Sequence, residues 1–354
     1  RFHLAQMQAE PVPSQAQVLQ VDVQDDRALV LLRFTAPDRP TPWQAARVYR
    51  QTAEGWLHTQ PTLDFWGDRQ TLETGPFTFH YYGRDAAAVQ GAAGLLEEEY
   101  TRLRAVLGLP AVAEVHQVAV EPTAWQRAFD YPQAALVLPS PLTTPRPEDV
   151  TPAQLLAQAA LLYYITELTS EAFDRYGYGD YWIWSNLTET GLRNWLILES
   201  NIALQTEERD LLAWLRKGLA QGQPPPDAFL RDCQLLQGLD VELLIYPCDG
   251  VAQAAFRGPP VARLSALYTV YEYDNTRDAS LADISSGPRW RRETNQELLA
   301  MITIYAYVFA TYGPARFPHL LAALGQEQRW DGVVSAALDL EAAAFQARWQ
   351  AWLP

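Results

Sequence analysis

The segment TELTS at residues 166–170 lies within the stretch PAQLLAQAALLYYITELTSEAF, residues 152–173. The pattern predicts a helix over about residues 152–173 and mainly helical structure from there to residue 353. Residues four apart on a helix lie on one face. We therefore expect Thr166 and Ser170 to share a face, with Glu167 between them in the chain.

Zinc metallopeptidases place the pattern H-E-x-x-H on such a helix. The two histidines bind one zinc ion, and the glutamate acts as general base on the zinc-bound water. In this chain Glu167 stands at the glutamate position, and Thr166 and Ser170 stand at the two histidine positions.

The chain resembles the peptidase MA-like domain of the gluzincin metallopeptidases over most of residues 71–354. Members of that family often show H-E-L-T-H, then a Y-G-D turn, then W-L-x-E-G-L-A. Residues 166–170 resemble the first element, YGD at residues 178–180 resembles the second, and LTETGL at residues 187–192 resembles the third. Thr190 follows Thr166 by 24 residues, which is the spacing expected between the first histidine and the third zinc ligand of the family.

The strand pattern of the first ~60 residues and this resemblance together predict an α+β fold with two domains. Residues 1–66 would form a small antiparallel β domain with a linker. Residues 67–354 would form the peptidase MA-like domain, with an α/β upper lobe and a mainly helical lower lobe from about residue 191.

The departures from the family pattern concern the metal. Carried over position by position, the three zinc ligands fall on Thr166, Ser170 and Thr190, which all bear neutral hydroxyls. Zinc in proteins is held by thiolate, imidazole or carboxylate groups, and without it nothing lowers the pKa of the attacking water. We therefore expect no metal, no cofactor and no peptidase activity, with Glu167 as a relic of the general base.

Other ligand choices fit less well. No histidine lies on the motif helix, and Glu189 would point about 100° away from position 190. A second stretch that resembles the third element, residues 214–220, has Lys217 at the ligand position. Glu167 itself has two interpretations: a relic in contact with the three hydroxyls or a nearby cation, or a helix residue that faces solvent or pairs with an arginine.

An aromatic run follows the motif helix and includes Tyr178, Tyr181, Trp182 and Trp184. Aromatic side chains with polar tips suit a platform for carbohydrate or peptide. The alternative is that they pack a loop against the former active-site cleft.

Before the motif helix the pattern predicts two groups of strands. A meander of strands is expected over residues 18–24, 28–35, 43–51 and 55–60, with turns at Asp25-Asp26 and Glu54-Gly55. Residues 61–74 are interpreted as a linker. Strands at 77–82, 115–120 and 134–138 and a helix over about 85–107 are expected to follow.

Composition limits the partners. The 354 residues suit about two domains. The net charge of −15 argues against nucleic acid and against an anionic membrane surface as the main partner. Cys233 and Cys248 are equally compatible with one disulfide and with two free thiols.

No membrane span is expected, because the longest uncharged run, residues 298–315, is better interpreted as a buried helix. The chain starts at Arg1, so a signal or membrane anchor upstream of Arg1 is expected to have been removed or left out. The resemblance implies an extracytoplasmic location, secreted or anchored in a bacterial cell envelope.

The first functional hypothesis is an inactive metallopeptidase-like protein that binds a protein or peptide, or forms part of a larger assembly. The alternatives are a metallopeptidase or other hydrolase with an atypical site using Glu167, and a carbohydrate-binding module. The irregular stretch at 246–292 is a candidate partner-binding insertion. The sequence leaves the oligomeric state open.

Overall fold

A computed structural model describes residues 15–35, 42–111, 115–122, 135–177, 182–202, 281, 293–327 and 329–352. Within these ranges, the description of residues 182–187, 198 and 293–299 is limited to the backbone. The described elements are two sheets and a set of helices, which confirms the α+β class.

The N-terminal sheet is antiparallel and follows chain order, as the sequence predicted. Its hairpin turn at Asp25-Asp26 is present, and Asp25 takes a left-handed conformation with φ of 54°. Residues 146–147 add a short strand beside the third strand. The strands are β1 Gln15–Gln24, β2 Arg27–Thr35, β3 Trp43–Thr52, β4 Gly55–Thr59 and, later in the chain, β9 Arg146–Pro147.

The two faces of this sheet bury different clusters, because side chains alternate between faces along each strand. One face carries a cluster of Leu32, Phe34, Trp43 and Ala45. The other face carries Val48, which packs in a cluster with Phe65, Trp66 and Tyr82.

The segment predicted as a linker, residues 61–74, instead contains a short helix, α1 Leu63–Trp66, and a strand, β5 Arg69–Glu73. Burial explains the helix, since Phe65 and Trp66 are 4% and 0% exposed. The strand is explained by backbone pairing with its neighbour, because most of its side chains are exposed.

The second sheet is mixed, in the order β5-β6-β7-β8, where β6 is Phe77–Tyr82, β7 is His116–Glu121 and β8 is Leu136–Pro139. β5 pairs antiparallel with β6, whereas β6, β7 and β8 are parallel. The three parallel strands lie within two residues of their predicted positions.

Helix α2, Ala86–Val106, connects β6 to β7 and agrees with the predicted helix at 85–107. A single 3₁₀ turn at Gly83–Asp85 precedes it. Asp85 is fully buried and accepts hydrogen bonds from Trp66 Nε1 and Ser140 Oγ, both at 2.6 Å. These bonds hold the start of α2 to the loop that follows β8.

From residue 152 onward the described chain is mainly helical, as predicted. The helices are α3 Pro152–Tyr176, α4 Trp182–Glu199, α5 Glu293–Tyr312, α6 Phe317–Gln326, α7 Trp330–Leu338 and α8 Ala342–Trp352. α5 covers most of the uncharged run and buries Ala300, Ile304 and Tyr305 completely, which confirms the buried-helix interpretation. In the described part of the chain, no helix combines the length and the hydropathy that a membrane crossing needs.

The chain divides into two compact units, one of residues 1–97 with 112–160 and one of residues 98–111 with 161–354. The boundary predicted between residues 66 and 67 stays a prediction.

Candidate functional site

The exposed face of α3 carries the three residues that the sequence placed in the motif. Thr166, Glu167 and Ser170 are exposed, whereas the intervening Leu168 and Thr169 are fully buried. The Thr169 hydroxyl donates to the carbonyl of Ile165 at 2.7 Å, so its polar group is satisfied inside the helix. Thr166 and Ser170 therefore present their hydroxyls to solvent on either side of Glu167.

Glu167 lies near the phenol of Tyr163, one helical turn earlier, and its charge acts on that group. Partial burial and the nearby carboxylate of Glu167 raise the pKa of Tyr163, so the phenol stays protonated at neutral pH. Within the described ranges, no hydrogen bond links Glu167 to Thr166 or Ser170. The contact that the relic interpretation expects, with those hydroxyls or with a cation, is not seen among the described residues, and Glu167 is exposed.

Two further tyrosines surround this pair. Tyr164 is buried, and its ring packs edge-on against Tyr163 at 5.3 Å and against Tyr100 of α2 at 5.8 Å. Burial raises the pKa of Tyr164, and the charge of Glu167 adds to the effect. Burial also raises the pKa of Tyr100 against the opposing effect of Arg104. Glu167 therefore lies beside neutral phenols.

Glu171, one turn after Glu167, lies in a different environment. Arg104 Nη1 and Nη2 donate to its two carboxylate oxygens at 2.5 and 2.7 Å. Arg104 also donates to the Tyr100 hydroxyl at 3.2 Å and to the carbonyl of Pro110. Burial acts to lower the pKa of Arg104, but the bonds to Glu171 and Tyr100 outweigh it and raise the pKa. The negative charge of Glu171 is paired with the positive charge of Arg104, whereas Glu167 lies next to the neutral phenol of Tyr163.

The sequence contained a signal for the first of these contacts, that of Glu167 with Tyr163. Tyr163, Glu167 and Glu171 are spaced by four residues, which places them in one row along a helix. The partner of Glu171 could not be found in this way, because Arg104 lies 67 positions earlier in the chain.

Thr190 lies on α4 and is half-buried. Its helix is closely held against α5, because a Cβ on Gly191 would lie only 2.7 Å from Met301 Cβ. The Tyr305 hydroxyl donates to the carbonyl of Thr188 at 3.1 Å. Among the described residues, no hydrogen bond joins Thr190 to the motif residues of α3, so the predicted grouping of all three hydroxyls stays a prediction.

Several predicted positions lie outside the described residues. Tyr178 and Tyr181 are among them, and Trp182 and Trp184 are described only as backbone at the start of α4. The predictions for Lys217, Cys233, Cys248 and the 246–292 stretch also lie outside, except that Leu281 donates its N–H to Gln346 of α8 at 3.0 Å.

In the part of the chain that the structure describes, no group of three or more histidine, cysteine, aspartate or glutamate residues is placed to hold a metal ion. The motif residues themselves offer as possible oxygen ligands two neutral hydroxyls, of Thr166 and Ser170, and one carboxylate, of Glu167.

The family resemblance stays a prediction. The resemblance concerns short elements of three to six residues, each weak alone and informative through their order and spacing. Comparison of the chain with protein-family models finds no model that matches, and comparison with curated proteins finds no matching protein.

Proposed function

We propose that this chain is a catalytically inactive metallopeptidase-like protein that acts outside the cytoplasm by binding a protein or peptide. The observation that carries the proposal is the exposed face of α3. There Thr166, Glu167 and Ser170 occupy, in order and spacing, the positions of an H-E-x-x-H motif. The general base is retained, and the two imidazoles are replaced by hydroxyls.

The chemistry of this face supports the loss of catalysis. Neutral hydroxyls are poor ligands for zinc, and zinc is what brings the pKa of a bound water close to neutral in this class of peptidase. Among the described residues, no set of metal-binding side chains surrounds Glu167. A carboxylate in this state has no activated water to deprotonate.

The same face is suited to binding. It presents hydroxyls, which donate and accept hydrogen bonds, next to a carboxylate and to Tyr163, which is 43% exposed. Peptide N–H and C=O groups are the complementary partners of such a surface. The negative charge of Glu167 favours a segment with a basic side chain.

The first experiment measures metal and activity on the purified chain. We expect zinc well below one ion per chain, and no cleavage of unfolded protein substrates whether or not a chelator is present. Stoichiometric zinc together with chelator-sensitive proteolysis would show that the chain is an enzyme.

The second experiment restores the motif. The triple variant Thr166→His, Ser170→His, Thr190→Glu is expected to bind Zn²⁺ at one ion per chain in a competition titration. The matched control Thr166→His, Asp174→His, Thr190→Glu has the same ligand types, but its histidines are about 12 Å apart along the helix. If both variants bind zinc equally weakly, the correspondence between these positions and the family ligands is wrong.

The third experiment tests binding on an array of short immobilised peptides. Glu167→Lys reverses the charge of the face, and Asp331→Lys makes the same change at a distant exposed position of α7. We expect the first variant to lose the peptides that the wild type retains, and the second to retain them. If the wild type and both variants bind the same peptides equally, the exposed face of α3 is not the binding surface.

A further inference from the structure

The outer strand of the N-terminal sheet, β1, is exposed along its whole length. All ten residues of Gln15–Gln24 are exposed, although the strand is paired with β2 along one side. In the described part of the chain, no strand pairs with its other side. The backbone donors and acceptors along that side form a template to which another strand can pair.

β1 also carries a row of aliphatic side chains on one face. Val18, Val21 and Val23 are 56%, 54% and 56% exposed. They lie opposite Leu32, Val30 and Ala28 of β2, which are alternate residues and therefore share a face. This is the face of the buried cluster that contains Leu32, so the valine row extends an apolar surface outward to the sheet edge.

An irregularity in the pairing keeps this row in line. The register shifts between Val18 and Gln20, so one extra residue is accommodated at Leu19. Without the shift, Val18 and Val21 would point to opposite faces, because they are three residues apart. The bulge places both on the apolar face.

Apart from the bulge at Leu19, β1 carries none of the side chains that usually protect a sheet edge. Natural edges carry lysine, proline or outward charges that discourage pairing. β1 contains a single ionisable residue, Asp22. Arg84 Nη1 lies 2.6 Å from its carboxylate, and Arg84 Nη2 donates to Gln24 at 3.0 Å. The one charge of the strand is compensated within the chain.

We propose that a second copy of this chain binds at this edge, by antiparallel pairing of β1 with β1 across a two-fold axis. A two-fold axis places a strand antiparallel to its own copy, so the same surface serves both partners. The valine rows then meet on one face of the joined sheet and the glutamines meet on the other. Because Asp22 is compensated by Arg84, the two strands meet without an unpaired charge at the contact.

The remaining charge predicts how the dimer responds to salt. Each copy has a net charge of −15, which repels the other copy over long distances. Salt screens that repulsion, with a Debye length of about 8 Å at physiological ionic strength. A pair of strands buries less area than the ~800 Å² per partner of stable complexes, so we expect a weak dimer that forms only as concentration rises. Because salt screens the repulsion, we also expect more dimer at higher salt.

The proposal is independent of the proposed function, because β1 and the motif face of α3 are different surfaces. The test is sedimentation of the full chain from ~1 to ~100 μM, a range that covers weak dissociation constants, at low and high salt. Val21→Lys places a charge in the valine row. Leu57→Lys makes the same change in charge on β4, at the opposite edge, where Leu57 is 53% exposed.

We expect a dimer for the wild type and for Leu57→Lys, and a dissociation constant at least about tenfold larger for Val21→Lys. An added lysine makes the net charge less negative, so it weakens the general repulsion between copies. That effect alone would strengthen the dimer, not weaken it. Hydrogen exchange should show protection of β1 amides that increases with concentration. Equal melting temperatures check that both variants fold. A wild type that stays monomeric throughout, a Val21→Lys variant that dimerises normally, or equal loss in both variants would overturn the proposal.

Discussion

Arg104 contacts Glu171 through two parallel hydrogen bonds, of 2.5 and 2.7 Å, and the two side chains differ strongly in exposure. The Arg104 side chain is 8% exposed, whereas that of Glu171 is 41% exposed. Arg104 also provides both hydrogen bonds to the carbonyl of Pro110, at 2.8 and 3.1 Å. The arginine is therefore the structural member of the pair, and the glutamate is the member that solvent can replace.

This asymmetry predicts unequal effects of mutation. Arg104→Met should lower the free energy of unfolding by about 2–3 kcal/mol, because it removes the charge-assisted hydrogen bonds that the buried guanidinium donates to Glu171, Tyr100 and the carbonyl of Pro110. Glu171→Gln should cost less than ~1 kcal/mol, because water can hydrate the guanidinium side that it exposes. Urea unfolding followed by circular dichroism measures both, and equal losses would contradict the assignment.

Asp85 should make the chain less stable as pH rises. Burial raises the pKa of Asp85 to about 6, although the hydrogen bonds from Ser140 and Trp66 favour the charged form. The folded chain therefore holds this proton more tightly than the unfolded chain, whose reference pKa is 3.8. The stabilising contribution is complete below pH 3.8 and is lost as pH rises through about 6, a change of about 3 kcal/mol.

The measurement compares Asp85→Asn with the wild type by urea unfolding between pH 4 and pH 7. The variant should gain stability relative to the wild type by about 2 kcal/mol over this range, most of the full change. Asp331→Asn, at a side chain that is 72% exposed, should follow the wild type at every pH. Parallel curves for Asp85→Asn and the wild type would show that Asp85 is ionised normally.

Glu99 should have the opposite pH dependence. Burial opposes its ionisation, but hydrogen bonds from Arg102 and from the N–H and side chain of Asn201 outweigh burial and lower the pKa of Glu99. Its stabilising contribution is therefore present above the reference pKa of 4.5 and is lost as pH falls through the lowered value.

Glu99→Gln should reduce the free energy of unfolding by about 2 kcal/mol at pH 7, because charge-assisted hydrogen bonds become neutral ones. The loss should shrink as the buffer becomes more acidic, since the wild type then protonates Glu99 as well. A deficit that stays constant from pH 7 to pH 3 would mean that the side chain contributes by shape alone.

Two helical glycines should respond to alanine with opposite signs. A Cβ on Gly191 would lie 2.7 Å from Met301 Cβ, so Gly191→Ala should destabilise by about 1–3 kcal/mol through overpacking. Gly94 in α2 has no atom within 4 Å of such a Cβ, so Gly94→Ala should stabilise by about 0.5–1 kcal/mol through helix propensity. Melting temperatures of the two variants should move in opposite directions, and a stabilised Gly191→Ala would show that α4 and α5 are less closely packed.

Local pattern predicted most of the strands and helices, because their burial follows the periodicity of their own residues. β5 was missed, since its side chains are mostly exposed and it exists through pairing with β6. The parallel pairing of β6, β7 and β8 was also not derivable, because the strand sequences do not record which neighbour each one meets.

At the candidate site the spacing of Thr166 and Ser170 predicted that they share one face of α3, but it did not predict that this face is exposed. The surroundings of Glu167 were not predicted. Tyr163 was within reach of pattern analysis as a residue one turn away, whereas Tyr100 comes from another helix. Contacts between distant segments depend on packing, which no local pattern contains.

The two contacts of α4 with α5 have a consequence for position 190. Tyr305 donates to the carbonyl of Thr188, and Met301 closely approaches Gly191. These contacts lie on either side of position 190 in the chain, and together they fix the rotation of α4 about its own axis. Turning α4 by the ~100° between successive residues would break both. The direction of the side chain at position 190 is therefore set by the contacts of residues 188 and 191. A substitution at position 190 can change the chemistry of that side chain without rotating the helix.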